Sequence, residues 1–175
     1  MSCIVGIENK GKVFIGADSA AANDEEIRIR RDPKIFINDY LLIAACGSIR
    51  VLQCLKEGLW IPSRDLTSIE EVIESMRIHL TSLNTITNSD GIDSFESNLL
   101  IGFRGGLYEI LSDFQICEAV EGYTASGAGK CYALGSLFET RKNPKMGPKK
   151  RIQHALEVAS YFCPSVRGPF IIFDV

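Results

Sequence analysis

The sequence predicts one α+β domain in which two β-sheets lie face to face and a pair of helices covers each outer side. Three observations predict this fold class. The predicted elements follow the order strands, two helices, strands, two helices, strand. The 175 residues fit one domain, and neither a repeat nor a composition break divides residues 1–175. The content of 46% hydrophobic and 23% charged residues is typical of a compact globular protein.

The chain is predicted to open with two pairs of strands. Runs of β-branched and apolar residues cover Cys3–Ile7 and Lys12–Asp18, and residues 9–11 (Asn-Lys-Gly) form a plausible turn between them. A second pair, Lys34–Ile37 and Tyr40–Cys46, flanks an Asn-Asp turn. We therefore expect two hairpins, separated by a polar stretch rich in Asp, Glu and Arg.

Two helices are predicted to follow these strands. Apolar residues recur at helical spacing from Ile49 to Leu59, and again from Ile69 to Leu83 after an Ile-Pro break. The second helix begins at overlapping capping boxes, Ser/Thr-x-x-Glu, that start at Thr67 and Ser68. In each box the side chains can satisfy backbone amides at the start of the helix, so this start is well specified.

The second half of the chain repeats the pattern of strands and then helices. A loop rich in Asn, Ser, Asp and Gly covers Asn84–Ser94. Further strands are predicted at Asn98–Phe103, Leu107–Leu111, Gln115–Val120 and, at the end of the chain, Pro169–Val175. The apolar positions expected to face the core from the two intervening helices are Cys131, Leu134 and Phe138, then Ile152, Ala155, Leu156, Ala159 and Phe162.

Composition argues against several classes of protein. The longest apolar run, Tyr40–Cys46, is seven residues, whereas a membrane-spanning helix needs about 20. With no secretory leader recognised, we expect a cytoplasmic protein without a membrane partner, and its six cysteines as reduced thiols. Because no Cys-x-x-Cys pair occurs and the two histidines are far apart, we expect no metal and no cofactor.

Charge is segregated along the chain. The net charge is −3, but the segment from Arg141 to Arg151 holds six of the 19 basic residues and no acid, which leaves 13 basic against 22 acidic residues elsewhere. This segment is interpreted either as a solvated loop between helices or as a surface for an anionic partner. Its last three cations, Lys149, Lys150 and Arg151, would lie in the first turn of a helix, where the helix dipole disfavours positive charge. Local stability therefore does not explain them.

A glycine-rich turn at Ser126–Lys130 suggests a phosphate-binding loop, but it lacks two parts of one. A P-loop would need glycine where Thr124 stands, and serine or threonine where Cys131 stands. The turn glycine and the magnesium-binding hydroxyl are both missing. We therefore expect no nucleotide here.

Ser2 is a candidate nucleophile. Methionine before a small residue is normally excised, which would leave Ser2 with its own α-amine beside its hydroxyl. The unperturbed pKa of an α-amine is about 7.7 to 8.0, so part of it is neutral near pH 7 and can act as a general base for that hydroxyl. If Met1 is retained, Ser2 carries an amide instead and this base is lost.

The surrounding pattern resembles a known family. The segments are Ser2-Cys-Ile-Val-Gly-Ile, Gly-Lys-Val-Phe-Ile-Gly-Ala-Asp18-Ser19, Pro-Lys34-Ile, and Ala-Ala-Cys-Gly47-Ser. They resemble the proteasome β-subunits and HslV, which are N-terminal nucleophile (Ntn) hydrolases. The resemblance covers nearly the whole chain and implies a four-layer αββα sandwich, in agreement with the order of elements. It also implies peptide-bond hydrolysis by the first residue of the mature chain, which aligns with Ser2.

The resemblance assigns a role to each matching residue. The family's strand-end aspartate falls on Asp18 and its lysine on Lys34, whose charge would lower the pKa of the neighbouring amine and hydroxyl. Gly47 matches the glycine whose backbone amide binds the developing oxyanion. Ser19 and Gly129, the latter in the Gly-Ala-Gly turn, match positions that support the catalytic site in the family.

The chain also departs from the family pattern at three positions. Ala128 replaces the serine that hydrogen-bonds the terminal amine, and Pro164 and Arg167 stand roughly where proteasome subunits have a late Asp and Ser. Three functions therefore stay open: a peptidase subunit, a weak or inactive ring-forming scaffold, and an Ntn amidase that acts on a small molecule.

The partners that the resemblance implies are those of a self-compartmentalising peptidase. They are other copies of the chain in a homo-oligomeric ring, a peptide or unfolded protein as substrate, and an ATPase unfoldase. The segment from Arg141 to Arg151 adds the expectation of an anionic partner.

Overall fold

A computed structural model describes residues 2–23, 25–58 and 65–175 of the chain. The strands in these residues are β1 (Cys3–Asn9), β2 (Lys12–Ala17), β3 (Ala20–Ala22), β4 (Ile27–Ile29), β5 (Ile35–Asn38), β6 (Leu41–Gly47), β7 (Thr87–Ser89), β8 (Ile92–Ser94), β9 (Ser97–Phe103), β10 (Gly106–Ile110), β11 (Ile116–Glu118), β12 (Tyr123–Gly127) and β13 (Ile171–Asp174). The helices are α1 (Ile49–Gly58), α2 (Ile69–Ser82), α3 (Lys130–Thr140) and α4 (Pro148–Phe162).

The elements form four layers, as the sequence predicts. One antiparallel sheet has the strand order β12-β1-β2-β13, and the other has the order β11-β10-β9-β6-β5. Apolar side chains from both sheets fill the space between them, among them Ile4, Ile15, Leu42 and Leu100. Helices α1 and α2 cover the outer face of the five-stranded sheet, and α3 and α4 cover that of the four-stranded sheet.

The strand hairpins follow from turn chemistry. The β1–β2 turn has two residues, Lys10 and Gly11, both with positive φ, which is the geometry of the expected Asn-Lys-Gly turn. Two further hairpins lie where the sequence predicts only polar segments: β3–β4, and β7–β8 around Asp90-Gly91. Strand β12 also lies beyond the predicted strands, in front of the glycine-rich turn.

Helix α2 begins as the capping pattern predicts. Ser68 is the N-cap, its hydroxyl accepts from Glu71 N, and the Glu71 carboxylate accepts from Ser68 N. Of the two overlapping boxes, this is the one that forms, and the amide of Thr67 also donates to Glu71 at 2.8 Å. In the preceding helix Leu52 and Leu55 are buried as predicted, whereas Leu59 lies outside the described residues.

The predicted core face of α3 is wrong. The residues that it buries are Ala133, Leu137 and Thr140, while Cys131 and Phe138 are exposed and Leu134 is half-buried. The helix carries two apolar stripes, and α3 packs against α4 and the sheet through the one with the smaller side chains. In α4 four of the five predicted positions are buried, and Phe162 is exposed.

The basic segment occupies the α3–α4 loop and the first turn of α4, where the sequence places it. Two of its last three cations have local partners, contrary to the expectation: Lys149 pairs with Asp174 at 2.5 Å, and Arg151 donates to Leu137 O at 2.9 Å. The Arg141 guanidinium lies 3.5 Å from the centre of the Phe138 ring. Local contacts thus account for part of this segment, and Lys142 and Lys145 remain exposed.

No helix within residues 2–23, 25–58 and 65–175 is long and apolar enough to cross a membrane.

Candidate active site

Ser2 immediately precedes β1 at one end of the sandwich and is 4% exposed. Strand β1 lies between β2 and β12 in its sheet, so the residues around Ser2 are held from both sides. On one side Ile4 pairs with Ala17, and on the other Cys3 pairs with Gly127. The register therefore places the end of β2 and the turn after β12 beside Ser2. Met1 lies outside the described residues.

Asp18 and Lys34 form a buried ion pair beside Ser2. The Lys34 ammonium lies 2.7 Å from Asp18 Oδ1, and the exposed fractions of the two side chains are 1% and 0%. Lys34 directly precedes β5, and its own carbonyl accepts from Ala45 N at 3.0 Å, which fixes it to β6. The apolar core between the sheets excludes water from the pair. Each charge therefore depends on the other for stabilisation.

The Asp18 carboxylate also accepts backbone hydrogen bonds from three directions. Oδ1 accepts from Cys3 N at 3.0 Å, so one oxygen links the lysine to the peptide that follows Ser2. Oδ2 accepts from Ala20 N at 3.1 Å and from Arg167 N at 3.4 Å. The carboxylate is thus held by four donors and orients Lys34 relative to Ser2.

The loop after α4 also reaches the site, through a backbone contact with Asp18 that the sequence does not predict. It is held at Asp18 by the side chain of Arg167, whose Nη1 donates to the carbonyls of Ser160, Cys163 and Val166 at 2.6 to 3.1 Å. Ser19 ties the same loop from the other side, since its amide donates to Arg167 O and its hydroxyl to Pro169 O. All the acceptors in these contacts are backbone carbonyls, so the sequence does not indicate which residues they join.

The turn at residues 127–129 touches Ser2 directly. Gly129 N donates to Ser2 O at 3.4 Å. A methyl group at Gly127, whose φ is +96°, would lie 2.3 Å from Ser2 O and 3.3 Å from Cys46 Cβ. The glycine therefore allows strands β1, β6 and β12 to meet closely here. Ala128, at the tip of this turn, is exposed.

Gly47 ends β6 at the same side of the sandwich, next to Cys46. Its φ of +120° is in the range that favours glycine, and a methyl group there would lie 2.4 Å from Glu96 O. The following amide, Ser48 N, already donates to Glu96 O at 2.7 Å. The Gly47 amide is thus the candidate donor to an oxyanion in this segment.

Two buried thiols lie close to Ser2 without competing as nucleophiles. Burial, and then the charge of Asp18, raise the pKa of Cys3 to about 12. Burial likewise raises the pKa of Cys46, although a hydrogen bond with Ser126 opposes this. Both thiols stay protonated near neutral pH and are poor nucleophiles. No cluster of three or more His, Cys, Asp or Glu side chains suited to a metal ion occurs within the described residues.

Comparison with known proteins identifies the fold. Two structures of Thiobacillus denitrificans BPH, one in complex with epoxomicin, superpose with TM-scores of 0.82 and 0.83 at 17% and 16% sequence identity, and cover 99% of this chain and 97% of theirs. Eukaryotic HslV from Trypanosoma brucei superposes with a TM-score of 0.76 at 14% identity, covering 98% of both chains. This is the Ntn-hydrolase fold of HslV. No model of a protein family and no curated protein matches the sequence.

Two of the three positions where the sequence departs from the family pattern lie in segments that contact Ser2 or Asp18. Ala128 brings no hydroxyl to the turn beside Ser2, and Pro164 is exposed at the end of α4. The Arg167 side chain is directed to the carbonyls of α4, while its main-chain amide reaches Asp18. Main-chain donors therefore surround the aspartate where the family pattern has late polar side chains.

Replacing Arg167 with alanine is expected to lower the free energy of unfolding by about 2 kcal/mol, because hydrogen bonds from a charged donor to the end of α4 are lost. Urea unfolding followed by circular dichroism measures this. The matched control is Arg31→Ala on the exposed segment before Lys34, which is expected to change stability by less than about 0.5 kcal/mol. Equal effects of the two substitutions would contradict the role of Arg167.

Proposed function

We propose that the chain is a peptidase subunit of a self-compartmentalising ring, and that Ser2 hydrolyses peptide bonds after Met1 is removed. The observation that supports this most is the shared oxygen of Asp18. It accepts both from the buried Lys34 ammonium at 2.7 Å and from the amide that follows Ser2 at 3.0 Å. A buried cation is thereby held beside the candidate nucleophile.

The first step would form an acyl-enzyme. The Ser2 α-amine takes the proton of the Ser2 hydroxyl, and Oγ attacks the carbonyl carbon of the scissile peptide bond. The charge of Lys34 favours the neutral amine and the developing alkoxide, because a nearby positive charge lowers both pKa values. The Gly47 amide donates to the oxyanion that forms. When the carbon–nitrogen bond breaks, the leaving amine takes the proton from the α-ammonium.

The second step would release the product. The neutral α-amine now takes a proton from a water molecule, whose oxygen attacks the ester carbon. The second tetrahedral intermediate collapses by breaking the bond to Ser2 Oγ, which recovers its proton from the α-ammonium. The products are a carboxylic acid and the free enzyme, so the two steps together consume one water.

A ring that encloses Ser2 would restrict hydrolysis to peptides or unfolded protein. We propose a homo-oligomer for this reason, with an ATPase unfoldase as the partner that delivers substrate. We also propose that an acidic partner binds at the exposed Lys142 and Lys145 of the α3–α4 loop.

Binding of such an acidic partner is expected to weaken as salt rises towards physiological strength, where the Debye length is about 8 Å. Fluorescence anisotropy with a labelled poly-glutamate peptide measures the dissociation constant at low and physiological salt. A Lys142→Ser, Lys145→Ser variant serves as the control. A dissociation constant that changes neither with salt nor with these substitutions would contradict the proposal of an anionic partner.

The test of the proposed function begins with the amino terminus. Intact-mass spectrometry is expected to show a chain that lacks Met1. Epoxomicin is then expected to add to this chain covalently. Its epoxyketone has two electrophilic carbons, which can react with the hydroxyl and the α-amine of the same residue. Ser2→Ala should lose both labelling and peptide turnover, and Ser2→Thr should keep them. A processed wild-type chain that neither reacts nor turns over peptide would overturn the proposal.

Ala128→Ser is expected to raise turnover about fivefold, because a hydroxyl at this turn can hydrogen-bond the Ser2 amine and contribute about 1 kcal/mol. The hydrogen bond from Gly129 N to Ser2 O at 3.4 Å, one residue further along the turn, supports this expectation. Steady-state hydrolysis of a fluorogenic peptide measures the gain, and Ala128→Val controls for size. An unchanged rate in a processed variant would show that the new hydroxyl does not reach the amine.

A second candidate function is a weakly active or inactive subunit that forms the ring as a scaffold. The observation that favours it is the missing hydroxyl at Ala128, together with Pro164 in place of a late carboxylate. The epoxomicin experiment separates the two, since a scaffold assembles without reacting at Ser2.

A further inference from the structure

The segment that carries the candidate oxyanion donor is fixed to strand β9. Gly47, the last residue of β6, pairs with Ser97, the first residue of β9, and Cys46 pairs with Asn98. The ladder between these two strands therefore holds the chain up to Gly47. Gly47 itself is exposed, which a donor to a substrate oxyanion requires.

Two hydrogen bonds hold the residue that follows Gly47. Ser48 N donates to Glu96 O at 2.7 Å, and Ser48 O accepts from the hydroxyl of Ser97 at 3.2 Å. The amide and the carbonyl of Ser48 are thus bound to two consecutive residues at the start of β9. The second bond is made by a side chain, so a substitution can remove it and leave the first in place.

The turn that carries Ser97 is anchored in the core. Ser97 N donates to Phe95 O at 2.7 Å, which closes a turn of three residues around Glu96. The Phe95 amide donates to Ser112 O at 2.8 Å. The Phe95 ring is buried and lies 4.7 Å from the ring of Phe114. The hydroxyl of Ser97 therefore starts from a fixed position, and Ser97 is only 4% exposed.

Gly47 needs a restraint of this kind because of its backbone conformation. Its φ is +120°, and a glycine has no side chain to limit rotation there. A change in φ turns the peptide plane between Cys46 and Gly47, and with it the amide that would face the oxyanion. The ladder fixes Cys46 before this plane, and the two bonds to Ser48 fix the chain after it. An oxyanion donor is effective when it is held in place before the charge develops.

We propose that Ser97 is a positioning residue for hydrolysis at Ser2, since its hydroxyl holds Ser48 and thereby directs the Gly47 amide towards the oxyanion. This role rests on the proposed function, because it belongs to the acyl transfer at Ser2. The oxyanion exists only after the attack on the substrate carbonyl. A group that positions its donor therefore stabilises the transition state and leaves substrate binding unchanged.

Replacing Ser97 with alanine is expected to lower kcat for a fluorogenic peptide about tenfold and to leave KM within about twofold of the wild type. The loss is smaller than the roughly 100- to 1000-fold effect of removing an oxyanion donor itself, because Glu96 still holds Ser48. Circular dichroism checks that the variant is folded. Wild-type kcat, or a loss that appears in KM alone, would overturn the role of Ser97.

The matched control is Thr140→Val in helix α3, which covers the other sheet. It also removes a buried hydroxyl that donates to a backbone carbonyl, here Ser136 O at 2.8 Å. This variant is expected to keep the wild-type kcat and KM. Equal losses of kcat in the two variants would show that Ser97 contributes no more than any buried hydroxyl.

A peptide aldehyde tests the same contact without turnover. The Ser2 hydroxyl adds across the carbonyl bond of the aldehyde, and the oxygen of the resulting hemiacetal lies where the oxyanion forms. The inhibition constant is expected to rise about tenfold in Ser97→Ala, in parallel with the fall in kcat, and to stay unchanged in Thr140→Val. An inhibition constant that is the same in wild type and Ser97→Ala would overturn the role of Ser97.

Hydrogen exchange separates this role from the proposed function, because it needs no activity. In Ser97→Ala, a peptic peptide that starts at or before residue 46 and contains Ser48 is expected to exchange faster than in the wild type, while a peptide from β1 is unchanged. Unchanged exchange around Ser48 would overturn the role of Ser97 even in an active enzyme. A processed wild-type chain that does not react with epoxomicin would instead overturn the proposed function, whatever the exchange shows.

Discussion

Replacing Lys34 with methionine is expected to lower peptide turnover by about 100- to 10,000-fold, the usual contribution of assisted proton transfer. Methionine keeps most of the volume of the lysine stem and removes its charge, so the Ser2 amine and hydroxyl lose the field that favours their deprotonated forms. The Asp18 carboxylate would also be left buried without a counter-ion. We expect a loss of about 3 to 5 kcal/mol in the free energy of unfolding.

The control for this substitution is Lys12→Met, the same change at an exposed position on neighbouring β2. It is expected to change stability by less than about 0.5 kcal/mol and turnover not at all. Turnover is measured with a fluorogenic peptide on protein shown to be folded by circular dichroism, and Asp18→Asn provides a second way to break the pair. A folded Lys34→Met protein with wild-type turnover would remove Lys34 from the mechanism.

Gly127→Ala is expected to displace Ser2. Its methyl group would lie 2.3 Å from Ser2 O, and alanine disfavours a φ of +96°. Backbone strain of this kind costs about 1 to 3 kcal/mol, and a shift of about 1 Å at a reacting group can cost 100-fold in rate. Turnover and urea unfolding are both expected to fall.

Gly135→Ala is the matched control, since it is also a glycine-to-alanine change but lies in helix α3 with no atom within 4 Å. It is expected to stabilise the fold by about 0.5 to 1 kcal/mol, because alanine loses less conformational freedom in a helix. If both variants kept full turnover, the position of Ser2 would not depend on the turn after β12.

The layers were predictable because they depend on local patterns, whereas the residues proposed for catalysis came from the resemblance to a known family and stay a prediction. Runs of β-branched and apolar residues located β1, β2, β5 and β6. Ser2, Asp18 and Lys34, which the resemblance assigned, lie next to the ends of three of these strands. The Asp90-Gly91 pair between β7 and β8 is typical of a hairpin turn. Because the residues around it are polar, the sequence predicts a loop there and no strands. Helix α3 has apolar residues on two faces, and its packing against α4 determines which of the two is buried.

What could not be predicted was the set of donors to Asp18. Three of the four are backbone amides, which every residue except proline has, so no residue type distinguishes Ala20 or Arg167 for this role. The side chain of Arg167 contributes by tying down the end of α4. The hydrogen bond from the Arg167 amide to Asp18, by contrast, depends on where the chain returns after 149 residues.

The contacts around Asp18 join residues that are far apart in the sequence, so a newly made chain forms them late. Arg167 and Pro169 contact Asp18 and Ser19 across 149 and 150 residues, so these bonds close loops that span most of the chain. Such contacts form only after the entropy of closing the loops has been overcome by the rest of the structure. A chain still emerging from the ribosome lacks them, and its aspartate remains open to water. We therefore expect nascent subunits to be inert towards neighbouring unfolded chains until these contacts have formed.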